Sequence, residues 1–388
     1  MKDWDQLRLQ DITEPVKDIC NPTELENIPY IGLEHIEQET LRLTGFGSSL
    51  DVTSAKFKFR PNDILFGKLR PYFRKIVKPT FTGVCSTDIW VFRAKKNVDQ
   101  NYLFYFLANW DFIHTADGGE CGTRMPRADW DYLKDTKWFI PSLEKQHEIA
   151  LILTSLDDKI HLLHQQNKTL EQLAETLFRQ WFVEEADESW EKLPLYKILT
   201  ITSSKRIYYS EYLPSGIPFY RSKEIIELHN TGTTSSELFI SQERFKEIKH
   251  RFGAPIEGDI LMTSVGTLGV PYRVRKNDKF YFKDGNLTWF KDFKIIPSSI
   301  IYLWLNSKYG QEQLSNITIG STQEALTIEG LKGILFKIPA KDKINACQKE
   351  FDIIIDKIEN NHINIQGLTR MRDTLIPKLL TGEIRIQK

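Results

Sequence analysis

Apolar side chains return every three and four positions along two long stretches, 143–183 and 343–380. In the first, one row is Ile149, Leu156, Leu163, Leu170 and Leu177, and the other is Leu153, Ile160, Asn167, Ala174 and Trp181. Rows spaced this way form a heptad seam, here with one polar member, Asn167, and predict a long amphipathic helix. A shift of 198 residues carries the same phase to Cys347, Ile354, Asn361, Leu368, Leu375 and to Phe351, Ile358, Ile365, Arg372, Leu379. Asn361 is again the lone asparagine, and Arg372 is a second polar intruder. Each helix could cover its own domain, or the two could form an antiparallel pair. In the pair, setting Asn167 opposite Asn361 also matches Leu163 with Ile365, Leu170 with Ile358, Ala174 with Ile354 and Leu177 with Phe351. A slip of one heptad strands both amides in hydrocarbon, at roughly 1–3 kcal/mol each, so the asparagines should set the register. Pro377 is expected to break or end the second helix.

The same shift aligns much of the remaining chain. Leu133-Lys134 meets Leu331-Lys332, Ile140-Pro141 meets Ile338-Pro339, and Asp158-Lys159-Ile160 meets Asp356-Lys357-Ile358. Further upstream, with small insertions, Ile28-Pro29-Tyr30 answers Ile217-Pro218-Phe219 and Asp63-Ile64-Leu65 answers Asp259-Ile260-Leu261. Each copy opens with short β-like runs punctuated by Gly, Pro and Asn, among them 56–59, 64–67, 90–93, 260–263 and 287–291. Each then has a short apolar helix, 102–110 or 300–308, and closes on its long helix. The expected fold class is α+β: two similar globules separated by two long helices that form an antiparallel coiled coil, an internal repeat with an approximate two-fold relation. The 149–181 stretch makes a rod of about 48 Å at about 1.5 Å per residue. Duplex DNA advances about 34 Å per turn, so globules at opposite ends of such a rod would stand about one and a half turns apart.

Composition is that of a water-exposed globular chain, 41% hydrophobic and 27% charged over 388 residues, which is ordinary for such proteins. No apolar run reaches about 18 residues, so no membrane-crossing helix is expected, and no secretory leader is read near Met1. Four scattered cysteines, Cys20, Cys85, Cys121 and Cys347, lack zinc-ligand spacing and suit a reducing cytoplasm. The formal net charge is zero. Its distribution is uneven: residues 55–96 carry eleven Lys/Arg against two acids, and 244–294 carry eleven against six. Local charge matters more than the sum, because screening limits each patch to about 8–10 Å.

Two pairs of loops hold candidate DNA contacts. Lys68, Arg70, Tyr72, Arg74 and Lys75 interleave cations with aromatics, a mixture that binds phosphates and reads guanine. Their counterparts are Thr263, Ser264 and Thr267, followed by Arg273 and Arg275. The second pair is Thr123, Arg124 and Arg127 against Ser321, Thr322 and Gln323, each on a glycine turn. Arg124 and Gln323 fall at matching places, and these side chains suit forked recognition of guanine and adenine respectively. Arg221 and Lys223 are a further candidate. Signs of catalysis are missing: no Asn/Asp-Pro-Pro-aromatic segment occurs, Leu69 stands where a phosphate-binding loop needs Ser/Thr after Gly67-Lys68, and the eight histidines show no metal-site spacing. A structural adaptor without base reading, and a stand-alone nuclease whose carboxylates converge only in the fold, remain as alternatives.

The duplicated plan, together with Leu177-Phe178-Arg179-Gln180-Trp181-Phe182 after the first helix and Thr374-Leu375-Ile376-Pro377-Lys378-Leu379-Leu380-Thr381-Gly382-Glu383-Ile384 at the end of the second, resembles the specificity subunit of type I restriction–modification systems. The Gly320-Ser321-Thr322-Gln323 loop and the Ile-Pro lead-in to each helix also match. The first copy departs from that loop, with Gly122-Thr123-Arg124-Met125 in its place. The resemblance implies target-recognition domains at 1–142 and 185–341, and spacer helices at 143–184 and 342–388 that also dock partners. It implies a non-catalytic subunit that reads a bipartite site on double-stranded DNA beside two methyltransferase subunits and restriction subunits. S-adenosylmethionine, ATP and magnesium would belong to those partners, with no cofactor or metal on this chain.

Overall fold

A computed structural model describes residues 4–119, 125–320 and 324–386. It divides into two compact units, Met1–His161 with Gly367–Lys388, and Leu162–Gln366. Each unit is built on an antiparallel four-stranded sheet of the same order. In the first unit the order is Thr13–Val16, Ile89–Ala94, Ile64–Gly67, Ile76–Val77; in the second it is Thr200–Thr202, Leu287–Lys291, Ile260–Thr263, Pro271–Arg273. Each unit also has one parallel pairing, Pro29–Ile31 with Gly83–Cys85 and Ile217–Tyr220 with Tyr281–Phe282. A short ribbon precedes each long helix, Asp5–Arg8 with Lys137–Ile140 and Glu191–Pro194 with Leu335–Ile338. The duplication read from residue matches is therefore a duplication of strand order and register.

Apolar runs explain these strands. Ile64–Gly67 and Ile260–Thr263 are buried along their whole length, the pattern of central strands covered on both faces. Helix Gln100–Ala108 packs Tyr102, Leu103, Phe106 and Leu107 into the first core, and Ser298–Asn306 places Ile300, Ile301 and Trp304 in the second. Each is followed by another short helix, Trp110–Gly118 or Lys308–Asn316, which the residue pattern does not announce. Helices Ser222–Thr231 and Gln242–Phe252 belong to the second unit, in the part of the chain where the copies drift apart.

The long helices are Leu143–Arg179, extended by one π-helical turn over Gln180–Glu184, and Lys341–Leu380. Every residue of the four seam rows is buried or half-buried. In the second unit Ala174, Phe178, Phe182, Cys347, Phe351 and Ile354 share one core, and Trp181 lies 5.3 Å from Phe351 between ring centres. In the first, Ile149 and Leu153 pack with Ile376, Leu379 and Leu380. The helices run antiparallel within each unit: positions later in the first helix meet positions earlier in the second. The pairing reading is the correct one.

Asn361 Nδ2 donates to Asn167 Oδ1 at 2.7 Å and to Gln166 Oε1 at 3.0 Å. Asn167 Nδ2 reaches the Ile358 carbonyl at 3.4 Å. The asparagines thus meet as their seam positions require, although Asn361 Oδ1 is buried without a partner among the described residues.

Pro377 corrects an expectation. The helix passes through it to Leu380, despite the lost N–H and a cost of about 3 kcal/mol for an interior proline. Ile376, Leu379 and Leu380 on the final turns are almost fully buried, and three such side chains at about 1.5–3 kcal/mol each outweigh that cost. The helix stops at Gly382, whose φ of +72° suits glycine. Cys20, Cys85 and Cys347 are free thiols. Among the described residues, no helix is long and apolar enough to cross a membrane, and no group of three or more His, Cys, Asp or Glu could hold a metal ion.

Asn361→Leu should cost about 1–3 kcal/mol in denaturant unfolding, because it leaves Asn167 Oδ1 buried and without its donor. Adding Asn167→Leu should recover most of that loss, and a double-mutant cycle measures the coupling. Additive losses from the two single changes would show that the amides do not act as a pair.

Candidate nucleic-acid interface

In each unit the two loops singled out above meet at one place. The Leu69 backbone bridges Arg127, Arg70 N–H donates to the Pro126 carbonyl at 2.8 Å, and Ala128 N–H donates to the Lys68 carbonyl at 2.9 Å. In the second unit Val265 bridges Ala325, and Leu326 N–H donates to the Ser264 carbonyl at 3.0 Å. Residues some sixty apart in sequence are thereby held on one rim, at the end of the central strands. Loops fixed on a rigid sheet are a usual carrier of recognition.

The first rim keeps a group of cations near solvent. Lys68 is half-buried in a cleft of about 440 Å³ lined also by Lys17, Phe57, Trp90 and Trp130. Burial pulls its ammonium pKa below the ordinary lysine value, opposed by the charge of Asp88. Arg70 is half-exposed. Tyr72 is exposed and sets its ring edge-on to Phe73 at 4.7 Å. Lys75 Nζ donates to the Leu33 carbonyl at 2.6 Å. Arg127 grips Asp88 with Nε at 3.0 Å and Nη2 at 3.4 Å, so any outside anion must compete with that carboxylate.

Arg74 corrects the expected DNA contact. It is buried, donating from Nε to the Ala108 carbonyl at 2.7 Å, from Nη1 to the Glu39 carbonyl at 3.2 Å, and pairing with Asp373 at 3.3 Å. Arg372, the cation in the seam, is buried beside it, bonded to Asp157 at 2.8 Å, Asp373 at 3.1 Å and the Thr40 carbonyl at 3.1 Å. Tyr105 OH donates to the other oxygen of Asp157 at 2.7 Å. This network fastens the loop to the second long helix within the first unit. Cation-rich local sequence pointed to a surface, and only the position of Asp373 reveals a clamp.

The second unit uses most of its expected contacts internally. Thr263 is buried and its hydroxyl accepts from Val270 N–H at 3.0 Å; Ser264 is buried with its hydroxyl 2.6 Å from that of Thr288. Both therefore support the strand ends and do not face outward. Arg273 reaches Ser298 at 3.4 Å and Glu359 at 3.7 Å. Arg275 donates to the Gly232 carbonyl at 2.9 Å and lies 3.4 Å from His362 Nδ1, tying the sheet edge to the long helix. Arg221 pairs with buried Glu224 at 2.7 Å and with Glu237 at 3.1 Å, and Lys223 pairs with Glu237 at 2.9 Å. Thr267 remains exposed on the rim. Thr123, Arg124, Ser321, Thr322 and Gln323 lie outside the described residues.

His362 illustrates how closely the sheet edge and helix pack. Gly232 ends helix Ser222–Thr231 with φ of +72°, and a Cβ there would come within 2.6 Å of the His362 ring. Burial, with Arg275, His164 and His229 nearby, depresses the His362 pKa to about 4.

Three comparisons bear on the chain. Residues 1–172 match the family model described as the type I restriction modification DNA specificity domain. The MjaIX type I restriction enzyme specificity subunit of Methanocaldococcus jannaschii is 24% identical, covering all of this chain and 95% of its own length. The EcoDI specificity subunit of Escherichia coli is 30% identical over 149 residues, 38% of this chain and 33% of that protein. The crystal structure of the type I restriction–modification S subunit from M. genitalium has the same fold, with a TM-score of 0.59 at 15% identity, covering 100% of this chain and 97% of that one.

Two predictions follow from the packing. Arg74→Met should destabilise the first unit by about 3–5 kcal/mol, because Asp373 and two carbonyls lose a buried partner; thermal unfolding measures it. Because His362 is neutral when folded, the unfolded chain binds more protons between the ordinary 6.5 and about 4. Stability should therefore be full above pH 6.5 and fall by about 3 kcal/mol on acidification to pH 4. His362→Gln should flatten that part of the denaturation profile.

Proposed function

We propose that the chain is a type I restriction–modification DNA specificity subunit, as its similarity to that family suggests, and that each of its two units reads one half of a bipartite target on double-stranded DNA. Its work is recognition and not catalysis. The observation that carries the reading is the repeated rim: the same bridge joins the same two loops in both units, yet one rim offers Lys68, Arg70 and Tyr72 where the other offers Thr267 and glycines. A common scaffold with unlike surfaces is what reading two different half-sites requires.

The paired helices act as the spacer that sets the unread gap, and with their flanks they dock two methyltransferase subunits, to which restriction subunits are added. S-adenosylmethionine, ATP and magnesium serve those partners. The complex works in the cytoplasm, where free thiols persist. On the first rim Lys68 and Tyr72 contact the phosphate backbone, and Arg124, with Gln323 on the second, lies at the base edges. Thr123, Arg127, Thr267, Ser321 and Thr322 are further DNA contacts.

The test is selection of bound duplexes from a randomised pool by the chain assembled with its methyltransferase subunits. A two-part motif with a fixed gap is expected, and an uninterrupted motif or no preference among sequences would overturn the reading. Removing one heptad from each long helix should shorten the gap by about three base pairs, at about 1.5 Å per helical residue and about 3.4 Å per base pair. An unchanged gap would remove the helices from the measurement of distance.

A further inference from the structure

The duplicated rims share a backbone and differ in the residues that adopt it. Lys68 N–H donates to the Asp88 carbonyl as Ser264 N–H does to Asn286, and Gly67 N–H donates to Lys75 as Thr263 N–H does to Val270. Strand pairing agrees, with Leu65 opposite Val77 in one unit and Leu261 opposite Tyr272 in the other. These matches set Arg70 against Gly266 and Arg74 against Gly269. All four residues are left-handed, with φ of 51° and 47° for the arginines and 81° and 73° for the glycines. Glycine takes this conformation without steric cost, whereas an L side chain takes it against a Cβ–carbonyl clash.

Arg74 gains from its place, since its guanidinium is the buried clamp described above. Arg70 has no such return. Among the described residues it has no carboxylate partner and no side-chain hydrogen bond; its guanidinium lies 5.9 Å from the Phe73 ring centre, at the outer limit of cation–π contact. A strained backbone whose side chain contributes little internally points to a partner outside the fold. Its amide is bonded to the Pro126 carbonyl, so the side chain starts where the two rim loops join.

We propose that Arg70 is a specificity-determining residue of the first unit, its guanidinium forking onto the O6 and N7 edge of a guanine in that unit's half-site. This rests on the DNA-reading function proposed above. The planar five-donor fork suits that edge, and lysine cannot reproduce it. Gly266 would leave the corresponding base of the other half-site without such a contact.

Three forms of the chain, each assembled with its methyltransferase subunits, test this: the natural sequence, Arg70→Gly and Arg70→Lys. Duplex selection measures base discrimination, and thermal unfolding measures the cost to the fold. Arg70→Gly should leave the melting temperature unchanged or up to about 4 °C higher, because strain is relieved while chain entropy offsets part of the gain. It should relax one guanine position in a single half of the motif by about 10–100-fold. Arg70→Lys should retain affinity for DNA but show the same relaxation. An unchanged motif in Arg70→Gly, full discrimination in Arg70→Lys, or a melting temperature several degrees lower in Arg70→Gly overturns the assignment. Absence of a two-part motif with the natural chain would instead overturn the reading of the whole protein.

Discussion

A buried amide pair inside an apolar helix seam governs how the second unit is assembled. Around Asn167 and Asn361 the seam is filled by Leu163, Ile354, Ile365 and Phe351, all nearly excluded from solvent. Apolar contacts of this kind are permissive, since leucine and isoleucine tolerate neighbours one heptad away almost as well. A carboxamide in that seam is not permissive. The bond from Asn361 Nδ2 to Asn167 Oδ1 can be made only where the two amides face each other, so a weak preference among many apolar registers becomes a strong one for a single alignment. Asn361 Oδ1, without a partner among the described residues, fits a contact retained for selectivity more than for net stability.

The helix alignment also determines which side chains the sheets can use. In the first unit it brings Asp157, Arg372 and Asp373 against the end of the basic loop, where Arg74 is taken out of solvent. In the second it brings Glu359 and His362 against the sheet edge, where Arg273 and Arg275 are engaged. Charges that look available on a strip of sequence are thus divided between the scaffold and the surface. The first rim retains more cationic character than the second, and the two units differ in recognition chemistry although their sheets share strand order.

Most of the architecture was legible because it rests on patterns local in the chain. Heptad spacing marked both long helices, β-rich runs marked the central strands, and the matching of residues 198 apart marked the duplication. The pairing of the helices was legible as well, since the two asparagines occupy complementary seam positions. The paths through the rim loops were harder to read. Thr263 and Ser264 have the hydroxyls of a DNA-facing turn, yet Thr263 ends a strand buried along its length and Ser264, next to it, is buried as well. Pro377 carries the signature of a helix stop, yet Ile376, Leu379 and Leu380 hold the last turn in place through burial that local propensity does not register.

The amino-acid order alone was enough for periodicity, duplication, the amide register and the absence of familiar catalytic motifs, because each depends on spacing or residue type. Whether a given cation faces water was a matter for the folded chain. Arg74 and Asp373 are 299 positions apart, and no local signal links them. Coulomb attraction and desolvation act through space, so an arginine's role is settled by what the fold places beside it: an acid and two carbonyls for Arg74, and a half-exposed place beside the Phe73 ring for Arg70.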